Sequence, residues 1–202
     1  MLERVPEPIK ILTQRFSEFP GIGPKSALRI VMELLNWPEE KVVSLGQEIV
    51  NFRSRLSPCS FCQALTERDP CPICSDPARD DSLLCVVVDL DSMFVLEEPG
   101  FYKGKYFILG GLLSPLEGKE FDTLNLDTFR KRLAQKQLQE VILALGSTVE
   151  AENTASYLKN LVKKEFPFLN VTRLAQGIPL GAEVKYMDRE TLRQSLTFRQ
   201  KF

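Results

Sequence analysis

There is no histidine among the 202 residues of this chain. Without imidazole there is no Ser-His-Asp triad, no Cys-His pair, no histidine-ligated metal and no histidine proton shuttle. A surplus of positive charge is missing as well: 26 Lys and Arg face 27 Asp and Glu, for a net charge of −1. A protein that coats nucleic acid through bulk charge is thereby excluded, and any contact with a polyanion must be local. Long apolar runs are also wanting. The longest obvious one, Leu83 to Val88, falls far short of the roughly 20 residues of a membrane-spanning helix. The stretch Met1 to Lys10, with Glu3, Arg4, Pro6, Glu7 and Pro8, does not read as a secretory signal. A folded chain with a cytoplasmic address and no membrane contact is predicted. What is present is 44% hydrophobic content, enough for one large domain or two to three small ones with genuine cores.

The hydrophobic pattern changes twice along the chain. Ile9, Leu12, Phe16 and Phe19 recur at helical spacing, Pro20-Gly21-Ile22-Gly23-Pro24 stops that helix, and Ala27, Ile30, Val31, Leu34 and Leu35 mark a second. A third helix begins after Pro38 with Glu39-Glu40 and carries Val42, Leu45, Ile49 and Phe52 on one side. Residues 1–56 therefore read as a helical domain. Residues 57–78 are rich in cysteine and proline and too poor in apolar side chains to form a core, so they need a metal. From Leu83 onward, short apolar runs at Leu83–Val88, Tyr106–Leu109, Val141–Leu145 and Val171–Leu174 read as buried strands. Amphipathic segments marked by Leu126, Phe129 and Leu133, and by Ala155, Leu158 and Val162, lie between them. Alternating strand and helix predicts a mainly parallel sheet covered by helices, with functional groups gathered at the carboxyl ends of the strands.

Two motifs carry chemistry. The bend between the first two helices is a helix-hairpin-helix signal. Gly21 and Gly23 permit backbone geometry closed to other residues, and the exposed amides at the start of the second helix can donate to a phosphate oxygen. Lys25 and Ser26 stand at that helix start and Arg29 one turn on, so the cations would add charge on one face, indifferent to base sequence. A plain tight turn remains a competing reading, whereas a nucleotide-binding P-loop would need glycine where Phe19 and Pro24 stand. The second motif is Cys59-Ser60-Phe61-Cys62 with Cys71-Pro72-Ile73-Cys74. Four thiolates so spaced close a tetrahedral zinc site with no open position, which favours a structural role over water activation; a redox dithiol pair is the rival. Cys85, the fifth cysteine, reads as a small buried side chain.

With these parts in order, the chain resembles the RecR family of bacterial recombination mediators along essentially its whole length. Gly21-Ile22-Gly23-Pro24-Lys25-Ser26-Ala27 is similar to the family's hairpin, Cys59, Cys62, Cys71 and Cys74 fill its zinc positions, and Leu113-Ser114-Pro115-Leu116 and Thr148-Val149-Glu150 fall in its Toprim part. Gly177-Ile178-Pro179-Leu180-Gly181 and Asp188 resemble its carboxyl-terminal segment. The resemblance implies an α+β multidomain chain: a helix-hairpin-helix domain over 1–56, a four-cysteine zinc knuckle over 57–78, a Rossmann-like α/β Toprim domain over 79–176, and a Walker B-like, oligomerising segment over 177–202. It implies a homo-oligomer, dimer or ring tetramer, that binds single- and double-stranded DNA and works with RecO and RecF in loading recombinase at gaps. Lys25 and Arg29 match positions of DNA contact, and Glu150 and Glu152 match an acidic surface of partner docking. The chain also departs from the pattern. The first sheet strand ends at Val88, followed by Asp89, Leu90 and Asp91; Gly146-Ser147 stands where a Toprim enzyme carries paired aspartates, Gln176 where many relatives have histidine, and Ala182 where glycine is usual. The magnesium-holding clusters of a Toprim phosphoryl-transfer enzyme, for which Asp89, Asp91, Glu150 and Glu152 are the candidates, are therefore incomplete.

Overall fold

The structure, a computed structural model, describes residues 5–114, 124–199 and 201; Pro115 and Leu116 of the Toprim-like run, and Met1, Glu3 and Arg4, lie outside the described residues. The chain divides into two units, Met1–Leu56 and Ser57–Phe202.

The first unit holds α1 (Glu7–Ser17), α2 (Pro24–Asn36) and α3 (Glu39–Asn51). Proline opens both α1 and α2, where its missing amide hydrogen costs nothing, and Glu39 and Glu40 place negative charge on the positive end of α3. Helices α1 and α2 pack on each other around Ala27, Val31 and Thr13, whose hydroxyl bonds back to the Ile9 carbonyl at 2.7 Å. The apolar stripes read from the sequence are only partly buried within this unit. Leu12, Phe19, Leu35, Ile49 and Phe52 remain exposed, and α3 buries no residue. Three short helices simply offer too little surface to cover every apolar side chain.

The second unit begins with the two-residue strands β1 (Ser57–Pro58) and β2 (Leu65–Thr66), paired antiparallel, and the single turn α4 (Pro72–Ser75). There follow β3 (Asp80–Val87), α5 (Leu90–Glu97), β4 (Gly104–Ile108), α6 (Leu126–Leu133), β5 (Glu140–Ala144), α7 (Val149–Glu165), β6 (Asn170–Arg173) and α8 (Arg189–Thr197). The sheet is ordered β4-β3-β5-β6 and every pairing is parallel, with Cys85 set between Tyr106 and Ile142. Alternation along β3 divides the core in two. Leu84 and Val86 join Phe107, Phe129, Val141, Leu158 and Val162, under α6 and α7. Cys85 and Val87 join Tyr106, Ile108 and Met93 of α5, together with Cys59, Cys62 and Cys71. Covering both faces is why β3 reads as a continuous apolar run rather than an alternating one.

All four sheet strands lie where the apolar runs placed them, their ends shifted by one to three residues. Helix α5 was not foreseen, because Leu90 to Glu97 carries no one-sided stripe: Met93 is buried while Phe94 and Val95 are exposed. Of the Walker B-like segment over 177–202, the described residues form a 3-10 turn, Val184–Tyr186, and α8. Asp188 caps that helix, accepting from the amides of Glu190 and Thr191 at 2.9 Å each.

Candidate metal centre and nucleic-acid interface

Each pair of cysteines is held by its own local turn. After Cys62 the chain takes the left-handed conformation at Gln63 (φ 64°), whose amide and side chain both donate to the Cys59 carbonyl at 2.9 Å. The second pair sits on α4, with Cys71 at its N-cap and the Cys74 amide pointing at the Cys71 sulfur from 3.4 Å; the Cys71 amide donates to the Cys59 sulfur at the same distance. Asp69 fastens the intervening loop to the Ser60 amide at 2.8 Å, which holds its carboxyl below the ordinary range.

The four sulfurs lie within 4.8 Å of one another, with Cys62 and Cys71 3.5 Å apart. Zinc–sulfur bonds of about 2.3 Å on a tetrahedron place sulfurs roughly 3.8 Å apart, so this donor set fits zinc closely. The hydrogen bond with Cys71, then burial, pushes the Cys62 thiol up to about 12, while Cys71, accepting from its neighbours, is lowered. Thiols this crowded share protons that a divalent cation displaces. Among the described residues no other group of three or more His, Cys, Asp or Glu converges in this way. Cys85 stands apart in β3, 3% exposed, its thiol raised to about 12 by burial.

Besides its apolar contacts, the cysteine segment is tied to the sheet by hydrogen bonds from two residues of β4. The Ile108 amide of β4 donates to the Cys62 carbonyl at 2.8 Å. Lys105, 4% exposed, sends its ammonium to the carbonyls of Ile73, Cys74 and Asp76 at 3.1, 3.0 and 2.8 Å. Sequence reasoning missed Lys105; the one signal was a cation inside a strand otherwise free of charge.

In the hairpin, Gly21 adopts φ +78°, the left-handed region, and the Ile22 amide closes on the Phe19 carbonyl at 3.1 Å. Gly23 is the N-cap of α2, with no side-chain capping bond, and the first helical bond runs from the Ala27 amide to the Gly23 carbonyl at 2.9 Å. The amides of Lys25 and Ser26 precede that bond and so lack intrahelical acceptors. Lys25, Ser26 and Arg29 are all exposed, and nothing crowds within 4 Å of where side chains at Gly21 and Gly23 would begin.

At the carboxyl ends of β5 and β6 a cleft of about 680 Å³ is lined by Gly146, Ser147, Glu152, Arg173, Gln176 and Asp188, among others. Glu150 and Glu152, the acidic pair singled out from the resemblance, lie together in the first turn of α7, both half-buried. Glu152 is already engaged by Arg173 at 3.0 Å and Gln176 at 3.1 Å. Asp89 caps α5, bonded to the amide and hydroxyl of Ser92 at 2.8 and 2.7 Å, with Asp91 in that helix's first turn.

Comparison with known proteins agrees with this layout. Residues 9–53 match the RecR helix-hairpin-helix, 56–76 the RecR four-cysteine zinc finger domain, 82–175 a Toprim domain and 177–200 the RecR C-terminal model. The chain is 55% identical over 199 residues to the recombination protein RecR of Nitratidesulfovibrio vulgaris, covering 98% of this chain and 99% of that one. It is 50% identical to that of Maridesulfovibrio salexigens (99% and 100% covered) and 39% to that of Gloeothece citriformis (96% of each). Cys59, Cys62, Cys71 and Cys74 are accordingly the zinc-binding cysteines of that finger, and the chain belongs to the RecR family.

Proposed function

We propose that the chain is a non-catalytic DNA-binding clamp of recombinational repair. It acts as a homo-oligomer, a dimer or ring tetramer, and assists recombinase loading at single-stranded gaps together with RecO and RecF. The observation that carries this reading is the start of α2. Uncapped amides, the positive helix end and the exposed cations Lys25 and Arg29 meet at a glycine bend with open space around it. A phosphate approaching there gains backbone donors and two charges without displacing any side chain. Nothing in this arrangement reads a base, which suits a protein that must act at gaps of any sequence.

The relatives carry the name of recombination proteins, which supports the cellular role. The partner-docking surface is assigned to the first turn of α7. There Glu150 is the acid that presents itself to a partner, since Glu152 is held by Arg173. The competing reading, a magnesium-dependent phosphoryl-transfer enzyme, needs acids that converge. Asp89 is spent as a helix cap and Glu152 in an ion pair, so that reading is the weaker.

The test is salt-titrated fluorescence anisotropy with labelled single- and double-stranded DNA. Lys25→Ala with Arg29→Ala should weaken binding to both. The slope of log affinity against log salt should become shallower by up to about 0.9 on duplex for each phosphate that the variant no longer neutralises. Unchanged affinity and slope would remove the hairpin as the grip on DNA, and magnesium-dependent turnover of DNA abolished by Glu150→Ala would establish the enzyme instead.

A further inference from the structure

A second cavity, of about 640 Å³, opens at the amino ends of the strands, where the zinc finger, the start of β4 and the turn after α6 meet. Phe61, Asp81, Lys105, Arg132 and Lys136 line it, with Gln135 and Gln137. Arg132 is 5% exposed, and its Nε has no hydrogen-bond partner among the described residues. Its neighbour in the last turn of α6 is accounted for, since Arg130 bonds Glu165 at 3.1 Å and Asp127 at 3.4 Å. Among the described residues one carboxylate lines the cavity, that of Asp81, and it lies 3.7 Å from the Lys105 ammonium. Lys105 thus offsets Asp81, and Arg132 and the exposed Lys136 are left as surplus positive charge in a concave site.

The Nε atom itself is out of reach of solvent, but surplus positive charge beside a cavity is costly unless an anion offsets it. The aromatic at the rim indicates which one does. Phe61 is 42% exposed on the loop between Cys59 and Cys62, so zinc would hold it rigidly beside the cations. Basic groups next to an exposed ring make up a platform for a single-stranded nucleotide: phosphate on the cations, base on the ring.

We propose that this cavity binds one unpaired nucleotide of single-stranded DNA, its phosphate on Arg132 and Lys136 and its base against Phe61. The inference rests on the nucleic-acid reading above and adds a second, strand-selective contact to the sequence-indifferent hairpin. A duplex cannot use it, because paired bases are unavailable for stacking on Phe61.

The experiment uses the full zinc-loaded chain with a fluorescein-labelled oligothymidylate and a labelled duplex, each titrated with wild type, Phe61→Ala, Lys136→Glu, Arg132→Gln and the Lys25→Ala, Arg29→Ala pair. Phe61 and Lys136 are exposed, so those variants test the site even if Arg132→Gln folds poorly; zinc content and melting temperature verify each. Phe61→Ala and Lys136→Glu are expected to weaken oligothymidylate binding about ten-fold and to leave duplex affinity within two-fold or so, while the hairpin pair weakens both. Cavity variants that bind oligothymidylate like wild type, beside a weakened hairpin pair, overturn the proposal and leave the clamp reading standing. Weakened cavity variants beside an unaffected hairpin pair uphold the cavity and overturn the hairpin. If an Asp- and Glu-rich peptide binds wild type but not Lys136→Glu, and oligothymidylate binding is unaltered, the cavity belongs to a protein partner and the proposal fails.

Discussion

One ammonium group does much to fasten the cysteine segment to the sheet. Lys105→Met keeps the buried stem but leaves the carbonyls of Ile73, Cys74 and Asp76 without their donor. The variant is expected to lose about 2 kcal/mol of stability and to surrender zinc faster to a chelator, measured by thermal denaturation and a colorimetric zinc indicator. A second residue-scale effect depends on pH. The Arg79 guanidinium donates to Glu97 and holds its carboxyl below the ordinary range, outweighing desolvation. A depressed carboxyl pKa gives stability that is present above the unfolded value of about 4.3 and lost as pH falls through the folded one. Glu97→Gln should therefore be less stable than wild type at neutral pH by roughly 1–2 kcal/mol. The two should converge below about pH 4 in urea melts; a gap that stayed constant with pH would disprove the assignment. Neither contact was legible in the sequence. Arg79 and Glu97 are 18 positions apart, and a lone lysine in a strand ordinarily signals a solvent face, not a buried anchor.

At the scale of elements the sequence was far more readable. Apolar runs such as Val141 to Leu145 located the sheet strands because both faces of the sheet are covered, so burial itself wrote the pattern. The paired C-x-x-C spacing located the metal site because four ligands closing on one ion leave few alternatives. Legibility failed where an element is not defined by a buried stripe, as with α5 and α8; the latter buries no residue and is set by its Asp188 cap. Strand β4 supplies the element-scale prediction. Gly104 opens it against β3, and a Cβ there would lie 2.8 Å from the Leu83 Cβ and collide with the Tyr102 ring. Gly104→Ala should cost about 1–3 kcal/mol by displacing the start of the strand, seen as a lowered urea midpoint with an unchanged m-value.

For the whole molecule, the metal governs more than its own loop. Cys59, Cys62 and Cys71 belong to one of the two apolar clusters against the sheet, so Cys71→Ser or chelation should lower the stability of the entire second unit by several kcal/mol, measured as a fall in melting temperature. A metal-free chain that melted with the zinc-loaded one would contradict this. The amide of Ile108 adds a final consequence. Strand β4 ends the sheet on one side, and its outward backbone is met there by the Cys62 carbonyl at 2.8 Å. Withdraw the ion and this strand becomes a vacant template on which a neighbouring molecule can add its own backbone. Demetallated protein should then clump by strand addition, scattering light below its melting temperature, which would make zinc a guard against self-assembly as much as a brace.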